Sequence, residues 1–161
     1  LLTFAARMHG LADTYVLARL APLAEALGLD EAMDEFAMNY SHGMKKKLAL
    51  LCALAHEPRV LILDEPTNGL DPQSTRAVHE LLGRQRDAGT CILLSTHLLD
   101  QAERLADRVG ILHQGDLLAC EPQADLRRRI AADATLEDAF FAITDAAEPA
   151  ADGEGAEEPA S

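Results

Sequence analysis

Tryptophan is absent, aromatic residues make up only 4%, and no lysine follows a glycine anywhere in the 161 residues. The first two absences leave the core to Leu, Ala, Val and Ile. The third excludes a Gly-x-x-x-x-Gly-Lys-Ser/Thr phosphate loop from this sequence, whose only lysines are Lys45, Lys46 and Lys47. Cysteine is scarce: Cys52, Cys91 and Cys120 lie far apart, form no Cys-x-x-Cys, and are expected to be buried free thiols in a reducing cytosol. Six histidines show no ligand spacing, so no protein-built metal site is expected. No apolar run approaches the roughly 20 residues needed to span a bilayer. The opening Leu1-Leu2-Thr3-Phe4 carries no charged leader of the signal-peptide kind, and a leucine at the first position gives the expectation of a chain cut from something longer.

Positive charge is missing from one end. No Lys or Arg follows Arg129, whereas nine acids do, from Asp133 to Glu158, and they account for most of the net charge of -13. The body before them holds 18 acids against 14 bases, which leaves no broad basic face for nucleic acid. Hydrophobic residues form 48% of the chain, enough for one soluble domain with a real core.

The pattern along the chain changes once. Val16, Leu20, Leu23 and Leu27 recur at helical spacing, with Gly10 and Gly28 as stops and Pro22 starting a second helix or kinking the first. Residues 30–40 read as loop or short irregular helix, and Gly43 to His56 as a helix rich in Leu and Ala. Strand and helix then alternate: strand over Val60–Leu63, helix over Pro72–Ala88, strand over Thr90–Ser95, helix over Leu98–Ala106. A hairpin follows, Arg108–His113 turning at Gln114-Gly115 into Asp116–Cys120. Helices over Pro122–Ile130 and Leu136–Ile143 come next, the last opened by a capping box of Thr135 and Asp138. Continuous apolar strands separated by helices imply an α/β fold, with a mainly parallel sheet covered on both faces. The expected organisation is a helical subdomain over 1–58, an α/β core part over 59–131, a C-terminal helix over 132–144 and a disordered acidic tail over 145–161.

Four short stretches carry the chemistry. Val60-Leu61-Ile62-Leu63 runs into Asp64-Glu65, so a buried strand stops in two adjacent carboxylates, one suited to hold Mg²⁺ through water and one to polarise an attacking water. Tyr40-Ser41-His42-Gly43-Met44 leads into a helix whose first N–H groups can face an anion, with Ser41 equally suited to an ordinary N-cap. Gly69-Leu70-Asp71-Pro72 is a helix start with Asp71 as cap and Pro72 in the first turn. Thr96-His97 closes the second strand, and ligands in open α/β sheets bind outside the carboxyl ends of strands, so His97 and the carboxylates should share one edge.

Together these stretches resemble the nucleotide-binding subunits of ABC transporters, over most of residues 1–143. Tyr-Ser-His-Gly-Met at 40–44 stands where that family has its Leu-Ser-Gly-Gly-Gln signature, Leu-Ile-Leu-Asp-Glu at 61–65 matches its Walker B strand and catalytic glutamate, Gly-Leu-Asp at 69–71 its D-loop and His97 its switch histidine. Tyr-Ser-x-Gly-Met followed by lysines is most similar to bacterial multidrug-type exporters. His42 and Met44 depart from the common signature, while Ser41 and Gly43 keep it. The resemblance implies a partial P-loop NTPase-type three-layer domain that uses ATP and Mg²⁺. Asp64 would hold Mg²⁺ through water, Glu65 would act on the hydrolytic water, and His97 would touch the γ-phosphate. Ser41 and Gly43 would reach the ATP of a second nucleotide-binding subunit, with Asp71 linking the two sites. It also implies transmembrane permease partners at the inner face of a membrane. With neither the P-loop nor the glutamine lid in the sequence, the expectation is the latter part of a cassette, inactive alone. A non-transport ABC ATPase, a nucleotide-free interaction module and another P-loop ATPase family are the competing readings.

Overall fold

The computed structural model describes residues 1–131 and 133–147. The chain divides into two compact units, Leu1–His97 and Leu98–Ser161.

The first unit opens with helices α1 (Leu2–Met8) and α2 (Asp13–Ala26), passes two 3₁₀ turns (Asp30–Ala32 and Ala37–Asn39), and continues through α3 (His42–Leu54), β1 (Val60–Asp64), α4 (Pro72–Asp87) and β2 (Cys91–Ser95). Gly10 and Gly28 follow α1 and α2 at φ of 71° and 63°, a backbone state that glycine enters without a Cβ penalty, so both stops fall where the sequence puts them. Pro22 starts no second helix: it lies inside α2, which continues through it. Proline removes one donor there, but its ring sits on the exposed side of the helix while Leu20 and Ala24 hold the other side in the core.

One core gathers the unit. Val16 and Leu20 from α2, Leu51 and Leu54 from α3, Leu61 from β1 and Val78 and Leu81 from α4 are all buried in a single cluster. Each such side chain contributes about 1.5–3 kcal/mol by leaving water, which is why helices with weak amphipathic character hold their places.

β1 and β2 pair in parallel, with Leu61 opposite Ile92, Leu63 opposite Leu94 and Asp64 opposite Ser95. Only one face of this pair is covered. Leu61 is buried and Ile92 partly so, whereas Val60, Ile62, Leu93 and Cys91 on the other face are exposed, Ile62 at 72%. The expectation of burial on both faces is thus corrected for the described residues: side chains alternate across a strand, and a helical layer packs on one side of this pair only. The cysteine expectation changes with it. All three cysteines are free, but Cys91 and Cys120 are exposed and Cys52 half-buried, its thiol pushed up by burial.

The second unit holds α5 (Leu99–Leu105), β3 (Arg108–His113), β4 (Asp116–Pro122), α6 (Gln123–Arg128) and α7 (Leu136–Ala147). β3 and β4 form an antiparallel hairpin whose Gln114-Gly115 turn has φ of 51° and 93°, the two positive values that a tight hairpin turn demands. Ile111, Ala119, Leu126, Leu136 and Ala139 form its small core. The capping box is present: the Thr135 hydroxyl accepts from the Asp138 N–H at 3.1 Å, and the Asp138 carboxylate accepts from the Thr135 N–H at 2.8 Å. α7 continues to Ala147, so residues 145–147 are helical rather than tail, and the remainder of the expected tail, 148–161, lies outside the described residues.

Candidate functional site

The parallel register decides the geometry. Because Asp64 pairs with Ser95 at the last position of both strands, the residues after each strand leave at the same edge. Glu65 is the first of them. Its N–H donates to the Ser95 carbonyl at 3.1 Å, and its φ of 46° turns the chain out of the sheet in a conformation that L residues seldom adopt. That turn brings its carboxylate to His97. Glu65 Oε1 accepts from the His97 backbone N–H at 3.0 Å and lies 2.7 Å from His97 Nδ1. Glu65 Oε2 is buried and has no hydrogen-bond partner, an acceptor position that a polar ligand or water would satisfy. Non-glycine residues persist at such φ values only where surrounding contacts over-determine them, and they cluster at functional sites.

Asp64 stays on the strand and is exposed. Its Oδ1 accepts from the Ser95 hydroxyl, which also approaches the Glu65 N–H at 3.3 Å. Ser95 therefore bridges the two acids, a role that sequence reasoning missed; its register opposite Asp64 is the signal that could have found it. No group of three or more metal-ligating side chains occurs among the described residues. Asp64 fits a Mg²⁺ ion held mainly by phosphate oxygens and waters, since Mg²⁺ dehydrates reluctantly and is commonly bound through one or two carboxylates.

The other site residues behave differently. Ser41 caps α3, its Oγ accepting from the Met44 N–H at 3.2 Å, which leaves the hydroxyl proton available for donation. Asp71 caps α4, accepting from the Ser74 N–H at 2.9 Å. Bonds from Ser74, side chain first and backbone next, hold the Asp71 carboxyl below its ordinary value. Gly43 is where a Cβ would stand 3.3 Å from Leu70, so the start of α3 seats on the loop before α4. A Cβ on Gly69 would in turn stand 3.8 Å from the His42 ring.

Lys46, one turn further along α3, reaches the same loop. Its ammonium donates to the carbonyls of Glu65 at 3.1 Å and Asn68 at 2.5 Å. A cavity of about 170 Å³ next to it is lined by Lys46, Leu63, Asp64, Glu65 and Pro66 among others, so one cation and both acids border one concavity. Composition and spacing offered no signal for this lysine, because its partners are backbone carbonyls.

Known proteins resemble the chain in sequence and in fold. A family model described as "AAA domain, putative AbiEii toxin, Type IV TA system" matches residues 26–99, the segment that contains β1, α4 and β2. The linearmycin resistance ATP-binding protein LnrL of Bacillus subtilis is 33% identical over 90% of this chain and 47% of its own length. The ABC-type transporter ATP-binding protein EcsA of the same organism is 35% identical over 89% of this chain and 58% of its own length. The daunorubicin/doxorubicin resistance ATP-binding protein DrrA of Streptomyces peucetius is 38% identical over 70% of this chain and 34% of its own. Among solved structures, one titled "Structure of ATP binding subunit of ABC transporter" superimposes with a TM-score of 0.81 at 38% identity, covering 89% of this chain and 60% of that one. The chain thus spans between about a third and three fifths of the length of these three curated relatives.

Proposed function

We propose that this chain, which belongs with the ATP-binding proteins of ABC transporters, supplies the hydrolytic and signature parts of an ATPase that powers transport, export in particular, across a membrane. The observation that carries the reading is the Glu65–His97 contact at the shared strand edge, with one Glu65 oxygen engaged and the other buried and unpartnered. A carboxylate so placed can orient a water for attack on a γ-phosphate, and His97 keeps it from swinging away. Asp64 would hold Mg²⁺ through water, and the ion would draw charge from the phosphates. The N–H groups at the start of α3, with the Ser41 hydroxyl and the close approach that Gly43 permits, suit a phosphate carried by a second nucleotide-binding subunit. Asp71, on the loop against which α3 seats, would link the two sites. Transmembrane permease subunits would convert the closure into transport and hold the assembly at the inner face of a membrane.

The sequence holds no Gly-x-x-x-x-Gly-Lys loop. We therefore expect the isolated chain to bind Mg-ATP poorly and to turn it over negligibly, and a robust ATPase rate from it would overturn this part of the reading. The decisive experiment supplies the loop: the chain is fused behind a P-loop segment of an ABC cassette, and ATP hydrolysis is measured. Hydrolysis that disappears in Glu65→Gln supports the assignment. A fusion that folds and binds ATP but hydrolyses it equally well with Gln at 65 refutes it.

A further inference from the structure

Glu65 is held in its left-handed backbone state from two sides. Its N–H is fixed by β2, through the Ser95 carbonyl at 3.1 Å. Its carbonyl is fixed by α3, through the Lys46 ammonium at 3.1 Å, and that same ammonium gathers the Asn68 carbonyl at 2.5 Å. Between these two carbonyls the chain makes a tight turn in which the Asn68 N–H donates back to the Glu65 carbonyl at 3.3 Å. Two carbonyl dipoles aimed at one point repel unless a cation sits there, and a lysine ammonium has three donors and no acceptor for that task.

We propose that Lys46 is a positioning residue: by clamping the Glu65 and Asn68 carbonyls it holds the Glu65 carboxylate against His97 and couples the start of α3 to that carboxylate. The coupling follows from connectivity. Lys46 lies on the helix that Ser41 caps and that holds Gly43, where a Cβ would stand 3.3 Å from Leu70 of the loop, as a Cβ on Gly69 would stand 3.8 Å from the His42 ring. A displacement of α3, such as a ligand at its start would cause, pulls on the Glu65 carbonyl and turns its φ. A side chain already engaged on the far side by His97 cannot follow that turn without breaking the contact. Lys47, the next residue, reaches Ser74 at 3.4 Å and is buried, so it braces the helix against α4 without touching the acids. This inference deepens the proposed function and rests on it only for the role of Glu65.

The test uses the whole chain, with no nucleotide, and compares Lys46→Met, which keeps length but no donor, with Lys46→Arg, which keeps charge and donors. NMR follows the His97 ring nitrogens, together with amide exchange at Asn68. Lys46→Met should shift the His97 ring signals and speed Asn68 exchange about tenfold or more, the consequence of losing a hydrogen bond to a charged group, while Lys46→Arg should restore both in large part. His97 signals that stay as in the wild type, even with a lowered melting temperature, would mean that Lys46 is only a brace, and the proposal falls. If Lys46→Met does not fold, Lys46→Arg decides: wild-type His97 signals uphold the proposal, and altered signals or a failure to fold overturn it. A chain that never bound ATP in any assembly would sink the proposed function but leave these signals, and hence the coupling, intact.

Discussion

At the carboxyl ends of β1 and β2 the polar side chains meet one another; at the starts of α3 and α4 they turn back onto their own helices. Asp64 bonds Ser95, and Glu65 bonds His97 with an oxygen left over. Ser41 and Asp71 instead accept from N–H groups three residues on. The helix-start residues have a complete structural reason to be there, and any ligand contact would be additional. Asp64 and one oxygen of Glu65 are engaged as well, by Ser95 and His97, but the second Glu65 oxygen is buried without a partner. A carboxylate with a buried unpartnered oxygen on a left-handed backbone costs stability, and its presence points to chemistry. The difference separates groups whose hydrogen bonding is complete within the chain from one buried oxygen that is left open.

Paired substitutions at Glu65 and Ser41 should separate the two kinds of residue most sharply. In the P-loop fusion, Glu65→Gln should lower the hydrolysis rate by about 10²–10⁴-fold, the usual contribution of a positioned proton acceptor, with little change in melting temperature. Ser41→Ala should show the reverse emphasis in the chain alone, losing about 1 kcal/mol of stability as an N-cap does, measured by denaturant titration. A Glu65→Gln variant that melted far lower would make Glu65 a structural residue after all.

Asp71 provides a pH version of the same contrast. Its folded carboxyl titrates below the ordinary 3.8, so its stabilising effect is complete above that value and is lost as the pH falls through the depressed one. Acid melting curves of Asp71→Asn should therefore be flatter below pH 4 than those of the wild type.

The two ends of α3 sharpen it further. His56, just past the C-terminal end, stacks on His9 with ring centroids 3.9 Å apart. Burial first, then the nearby His9 and Arg19, push its pKa below the ordinary 6.5. The unfolded chain takes up that proton first on acidification, so the stabilisation is full above 6.5 and fades as the pH drops through the folded value. His56→Gln should flatten the dependence of melting temperature on pH between 7 and 5.

The smallest effect concerns the bare sheet face. Changing Ile62 and Leu93 to Thr should reduce self-association in light scattering, while each exposed site shifts stability by no more than about 0.5 kcal/mol.

Much of this was legible beforehand. The helix between Gly10 and Gly28 followed from apolar spacing and its stop, and the hairpin from its Gln-Gly turn. The capping box could be read from Thr135 and Asp138 because all its partners lie within four residues. Of the two readings of Pro22, a second helix starting there is overturned, since α2 continues through it with the ring on the exposed side. The sheet faces and the cysteines failed for one reason: a continuous apolar run reports that a strand is apolar, not how many layers cover it. The roles of Ser95 and Lys46 escaped because their partners are 31 and 19 or more residues away in sequence.

Which groups stand at the strand edge is written in the residue order: an acid pair closing one apolar strand and an imidazole closing the next, with no phosphate loop among these residues. Long-range packing sets the two acids apart, Asp64 remaining exposed on the strand while Glu65 turns to His97. That division depends on a parallel register and on a lysine bonded to two carbonyls. Both are contacts between residues distant in sequence, and local pattern carries no record of them.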